Sequence, residues 1–279
     1  MITVGRTLEL KKIRSNLKRK VSTLLVGSKG VGKTHLLKHL SEELYSYYIP
    51  NLSPAKEALL NLLIHLKGWN EQEIKENGVK RWTLNKITQA VIETIENKEF
   101  VLIIDNLDNV SSAHSQLLIN LISYIPILGA ACEIKASKAL MGFFWAFEVI
   151  DLKPLTDAHI ASILSHHIKG INFKDSSTKR LFVKKVVQAA KGIPLAACEM
   201  VNKTANVKTV TRTFIRRELK EHQSAVKYLD ATYLWIFLIA VAAAMRYISR
   251  GMHSTDAYVF FGALYAVLLI VRIMMYRMR

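Results

Sequence analysis

Cysteine is scarce in this 279-residue chain: there are two, Cys132 and Cys198. They lie far apart, which excludes a disulfide framework, and neither has the spacing of a metal ligand. Both read as buried thiols. His159, His166 and His167 have no carboxylate or cysteine at metal spacing and read as surface or core histidines. Arginine is missing from the whole interval between Arg81 and Arg180. Internal repeats, low-complexity tracts and Gly/Ser linkers are lacking, which argues against solenoids and tethered arrays. The N-terminus has no apolar run of a secretory signal, so residues 1–225 are expected to stay in the cytoplasm. Acid is in short supply: 22 Asp and Glu face 39 Lys and Arg, a formal net charge of +17. Such an excess favours a polyanionic partner, either nucleic acid or an anionic surface.

What is there begins at residues 27–34, Gly27-Ser28-Lys29-Gly30-Val31-Gly32-Lys33-Thr34, a complete G-x-x-x-x-G-K-[ST] phosphate loop. It follows an apolar run, Val21 to Val26, and precedes a helical pattern that opens at His35. Glycines let backbone N–H groups fold around phosphate oxygens at little conformational cost. Lys33 is expected to reach the β and γ phosphates, and the Thr34 hydroxyl to ligate Mg²⁺. The helix that follows aims its positive end at the same anion. The ligand class is therefore a nucleoside triphosphate, with ATP/ADP and Mg²⁺ as the expected cofactors.

A second element supports this reading. Phe100-Val101-Leu102-Ile103-Ile104-Asp105 is a continuous apolar run ending in a carboxylate, as in a strand buried on both faces. An acid there lies near the phosphate loop of an open α/β sheet, so Asp105 is the expected second metal ligand. Asp108 has two readings: a carboxylate that orients the attacking water, or a cap for a helix from Ser111 to Ile122.

The C-terminal end changes character. Ala231 to Met245 and Ala257 to Val271 are uncharged and apolar all round. Each is somewhat short by itself, but extension through Arg246 to Ile248 and through Arg272 to Tyr276 supplies the roughly 17–25 residues of a membrane span. The expectation is two transmembrane helices joined by the polar turn Ser249 to Asp256. Basic residues such as Arg216, Arg217, Arg277 and Arg279 flank the outer ends, so both termini are expected to be cytoplasmic. A buried helical hairpin is the competing reading.

Between these landmarks, residues 56–98 read as helical with breaks near Gly68 and Gly78. Ala130 to Ser137 and Phe147 to Leu152 read as strands. Helical pattern then runs from Ala158 to Lys227. Strands alternating with helices, then helices alone, imply an α/β P-loop NTPase parallel sheet with a helical lid. The expected domains are an ATPase core at 1–155, a helical lid and basic juxtamembrane helix at 156–227, and the hairpin at 228–279.

These motifs resemble those of STAND and archaeal-type AAA+ ATPases. Val4-Gly5-Arg6 with Glu9 is similar to their G-R-x-x-E motif, and Gly192-Ile193-Pro194 to the G-x-P of the STAND lid. The likeness runs over about residues 3–205. It implies that Arg6 and Pro194 lie around the base and sugar side of the nucleotide, and that an ATP-driven switch moves lid against core. Two features depart from the family pattern: Asn106 stands where a glutamate often follows the strand-end aspartate, and Leu195 where AAA+ lids often carry arginine. The arginine-free interval covers the place of the family's arginine finger, a group worth about 10³–10⁵ in rate where present. Lys135 or Lys138 are the candidate substitutes, and Lys135 or Ser137 the candidate γ-phosphate contacts.

The functional reading is a membrane-anchored, slow Mg²⁺-dependent ATPase acting as a switch, carried by Lys33, Thr34, Asp105 and Asp108. Two alternatives remain: a nucleotide-gated assembly module with a membrane-effector hairpin, and a DNA-binding ATPase. A homo-oligomer is left open. A nucleic-acid partner rests on charge alone, because no reader motif is present.

Overall fold

The computed structural model describes residues 3–95, 99–111, 114–134, 138–204, 207, 209–218, 232–252 and 255–277. Five parallel strands form one sheet: β1 (Thr23–Val26), β2 (Ser46–Ile49), β3 (Val101–Ile104), β4 (Ile127–Ala131) and β5 (Glu148–Asp151), in the order β2-β3-β4-β1-β5. Among the described residues, seven α-helices accompany them: α1 (Thr7–Lys18), α2 (Lys33–Glu43), α3 (Ala55–Lys67), α4 (Glu71–Glu76), α5 (Leu84–Ile95), α6 (Ser115–Tyr124) and α7 (Lys138–Trp145). The strands are apolar without alternation because both faces are covered. In β3, Leu102 and Ile104 join one buried cluster with α3 and α5, while Val101 and Ile103 join the other with α1 and α2. Each such side chain contributes about 1.5–3 kcal/mol on burial. Trp69 and Trp82 pack edge to face, 6.4 Å between centroids, against the first cluster.

The lid comprises α8 (Asp157–His167), α9 (Ser176–Ala190), α10 (Pro194–Thr204) and α11 (Arg212–Glu218), around its own core of Ile160, Phe182, Val186 and Met200. Thr156 caps α8 by accepting from the His159 amide, and Asp175 caps α9 by accepting from the Thr178 amide. Pro194 opens α10, where its missing N–H costs nothing.

Two further helices, α12 (Thr232–Gly251) and α13 (Thr255–Arg277), form a hairpin in a second compact unit, Ala225–Arg279, distinct from Met1–Ser224. The expected pair of transmembrane helices is corrected here. Among the described residues, no helix is long and apolar enough to cross a membrane. The fold is the α/β P-loop NTPase sheet without those spans, and the multi-pass membrane placement falls with them. The physical reason is in the charges. Each uncharged run is about 15 residues, roughly 22 Å at helical rise, against a hydrocarbon core of ~30 Å. Lengthening the first run recruits Arg246, which is not free to reach away along its stem. Its Nη2 donates to the Tyr258 hydroxyl on α13 at 2.9 Å, so the guanidinium is held within the hairpin.

Candidate functional site: the phosphate loop and its surroundings

The turn between β1 and α2 needs glycine at specific points. Gly30 and Gly32 have φ of +82° and +107°, a region that side chains with a Cβ avoid. A Cβ on Gly30 would also lie 2.9 Å from the Leu195 Cβ. The loop lines a cavity of about 540 Å³, within the usual range for small-molecule sites.

Lys33 is almost wholly buried, and its Nζ donates to the carbonyls of Gly27 at 2.7 Å and Ser28 at 3.1 Å. No carboxylate pairs with it among the described ion pairs. Thr34 donates to Asp105 Oδ2 at 2.6 Å, and the Tyr48 hydroxyl donates to the same oxygen at 3.1 Å. Asp105 Oδ1 accepts from the Asn106 amide at 2.9 Å. Burial, the Asp105 charge and this hydrogen bond together push the Tyr48 phenol up to about 12. A hydroxyl and a carboxylate this close form a hard-oxygen pair that suits Mg²⁺.

The remaining expected residues fall as follows. Lys29, Val31, His35 and Pro194 line the cavity. Arg6 also borders it, but its guanidinium is engaged with Glu9 at 2.9 Å, the Val31 carbonyl at 3.1 Å and the Lys153 carbonyl at 2.8 Å. Asp108 does not line the cavity; it sits in a short turn with a buried, unpartnered Oδ1. Asn106 takes a left-handed φ of +54°, which asparagine tolerates far better than glutamate.

Three features were not legible beforehand. Strand β4 lies between β1 and β3, so Asp105 faces the loop across an intervening strand. β4 ends at Ala131, earlier than expected, which puts Cys132 beside the loop with Sγ 3.5 Å from Lys33 Nζ. Lys135 and Ser137 lie outside the described residues, as does the side chain of Lys138. Cys132 is exposed and Cys198 half-buried, and both line the cavity, so neither is the enclosed core thiol expected. Burial and the Glu199 charge push the Cys198 thiol up. Tyr48 is the third feature: β2 carries weak strand signals, and nothing in its sequence marks it as a neighbour of Asp105.

Residues 15–142 match the AAA domain family. The chain carries an AAA-type P-loop ATPase domain, and its chemistry is ATP hydrolysis. No curated protein matches the chain in sequence. Among solved structures it is similar to the Walker-type ATPase PABY2304 of Pyrococcus abyssi, at 15% identity and a TM-score of 0.57, over 86% of this chain and 80% of that one. It is also similar to a RuvB variant of Thermotoga maritima, at 14% identity and a TM-score of 0.52, over 89% of this chain and 78% of that one. At these identities the likeness establishes the fold alone. A STAND protein with a tetratricopeptide repeat sensor from Pyrococcus horikoshii, 18% identical over 94% of this chain and 39% of its own, has a TM-score of only 0.48 and carries no argument.

Proposed function

We propose that this ATPase domain is a slow, Mg²⁺-dependent switch whose lid reads the state of the phosphate loop. The carrying observation is the contact between the two. The Leu195 amide of α10 donates to the Gly30 carbonyl at 3.3 Å, and Leu195 packs where Gly30 leaves room. The Leu155 amide, in the segment leading to the lid, donates to the Gly192 carbonyl at 2.8 Å, tying the G-x-P turn to the core exit. A shift of the loop around a triphosphate therefore acts directly on α10.

In this reading Lys33 turns from the Gly27 and Ser28 carbonyls to the phosphates. Thr34 and Asp105 would hold Mg²⁺, which when bound would neutralise charge on the phosphate oxygens. The backbone amides of the loop supply further fixed donors. Among the described cavity residues the only guanidinium is that of Arg6, which is already engaged, so hydrolysis lacks a finger and is slow. Hydrogen exchange tests the coupling. Amides of α10 should exchange at different rates with ADP and with a non-hydrolysable ATP analogue. Identical protection in both states would refute the switch.

A further inference from the structure

The hairpin contains a second cavity. Arg246 and Arg250 lie one turn apart on α12 and, with Tyr247, Tyr258 and Tyr265, line a cavity of about 360 Å³. Acid is missing from its lining, and neither arginine has an ion pair among the described residues. Two like charges at i,i+4 repel, and nothing in the cavity offsets them. The geometry is nevertheless built. Arg246 Cζ sits 4.8 Å from the Tyr258 ring centroid, and its Nη2 donates to the Tyr258 hydroxyl at 2.9 Å. The Tyr258 oxygen accepts there, which leaves its own proton to donate elsewhere. Gly262 lies beside the same guanidinium: a Cβ there would stand 3.6 Å from Arg246 Nε, an ordinary van der Waals contact.

We propose that this cavity binds a phosphoryl group. Two guanidinium forks and a phenol donor match the several acceptor oxygens of a phosphate, and arginine suits such planar, paired recognition better than lysine. The preference over a carboxylate follows from charge. A phosphate monoester carries up to two negative charges near neutral pH, enough to compensate both arginines, whereas a carboxylate carries one. The phosphate could belong to a soluble compound or to a lipid headgroup, since the chemistry is shared.

The test uses the full chain with its phosphate loop saturated by Mg²⁺-ADP. Calorimetric titrations with inorganic phosphate and with dihexanoylphosphatidate are compared between the parent and the Arg246→Ala, Arg250→Ala double variant. The expected result is binding in the parent that weakens at least tenfold in the double variant, with ADP affinity unchanged. Equal affinity for both probes would identify a soluble phosphate, and a tenfold preference for the second probe a lipid headgroup; either supports the site. Arg250 is exposed, so Arg250→Lys gives a variant whose folding is not in question, and it should weaken binding about tenfold while keeping the charge. Binding that is the same in the parent and Arg250→Lys, absent from the parent, or matched by acetate would overturn the proposal.

Discussion

Tyr48→Phe removes one hydroxyl from the buried cluster around Asp105, and its consequences can be worked out in two independent readouts. The hydroxyl donates to Asp105 Oδ2 at 3.1 Å, and Asp105 is 3% exposed. A hydrogen bond to a charged group contributes about 1.5–3 kcal/mol. Tyr48 is only half-buried, so the lower end, about 1.5 kcal/mol, applies. Asp105 keeps its bonds from Thr34 and the Asn106 amide, so no carboxylate oxygen is orphaned by the change. At 2–4 °C per kcal/mol for a unit of this size, the melting temperature should fall by roughly 3–6 °C. The second readout is pH. The phenol is raised from about 10 to about 12 in the folded protein. The folded state therefore holds that proton more tightly than the unfolded chain does. Its stabilising effect is fully present below pH 10 and is lost as pH rises from about 10 through about 12. Chemical denaturation of the parent and Tyr48→Phe between pH 8 and 12 should give a stability difference that is flat to about pH 10 and then shrinks. A melting temperature unchanged within 1 °C, or a difference that grows above pH 10, would refute the assigned bond.

Lys33→Ala should weaken ATP binding by about 1.5–3 kcal/mol, a factor of roughly 10 to 150 by calorimetry, because the charge-assisted contact to phosphate is lost. Steady-state phosphate release should stay below about one turnover per second across a concentration series, given the missing finger; tens per second, rising with self-association, would expose a cation that the described cavity does not contain. Asp175 accepts from the Ser177 hydroxyl and the Thr178 amide, which hold its carboxyl down at about 2. Its stabilising effect is present above the ordinary carboxylate range and lost as pH falls from about 4 through about 2. Acid denaturation of Asp175→Ala should therefore converge on the parent near pH 2, and a constant gap would count against the cap.

How much of this was legible in sequence depends on how local each signal is. The placement of Asp105 beside the phosphate loop was readable because both are marked by residue types at short spacing. The apolar run at 100–104 announced a strand covered on both faces, and it is one. Strand order was not readable, because no residue in β4 records that it will insert between β1 and β3. That insertion is what brings Cys132 to Lys33, so the thiols were misplaced as core. Tyr48 was missed for a similar reason, since its partner is 57 positions away. The hairpin was misread because unbroken apolarity is the shared signature of a span and of two helices that pair with each other. What separates them is the fate of Arg246, and its tie to Tyr258 is a contact that no hydropathy pattern encodes.

Arg6 shows how resemblance and geometry can agree on a residue's place and differ on its task. The resemblance implies a place beside the nucleotide for Arg6, and what the geometry gives is a side chain bordering the cavity. Yet it is 6% exposed, and its donors go to Glu9 on α1, to Val31 in the phosphate loop and to Lys153 beyond β5. A buried guanidinium engaged on three sides is costly to release, because any lost partner leaves part of a charge unsatisfied. Its geometry is that of a brace: it fixes the loop relative to the segment that leaves the core for the lid. The Leu195–Gly30 bond then closes a circuit from loop to Arg6 to Lys153, through Leu155 and Gly192, and back through α10 to the loop. In the proposed switch, a triphosphate that displaced Gly30 would strain every member of that circuit at once, and α10 would feel it through the Leu195 amide.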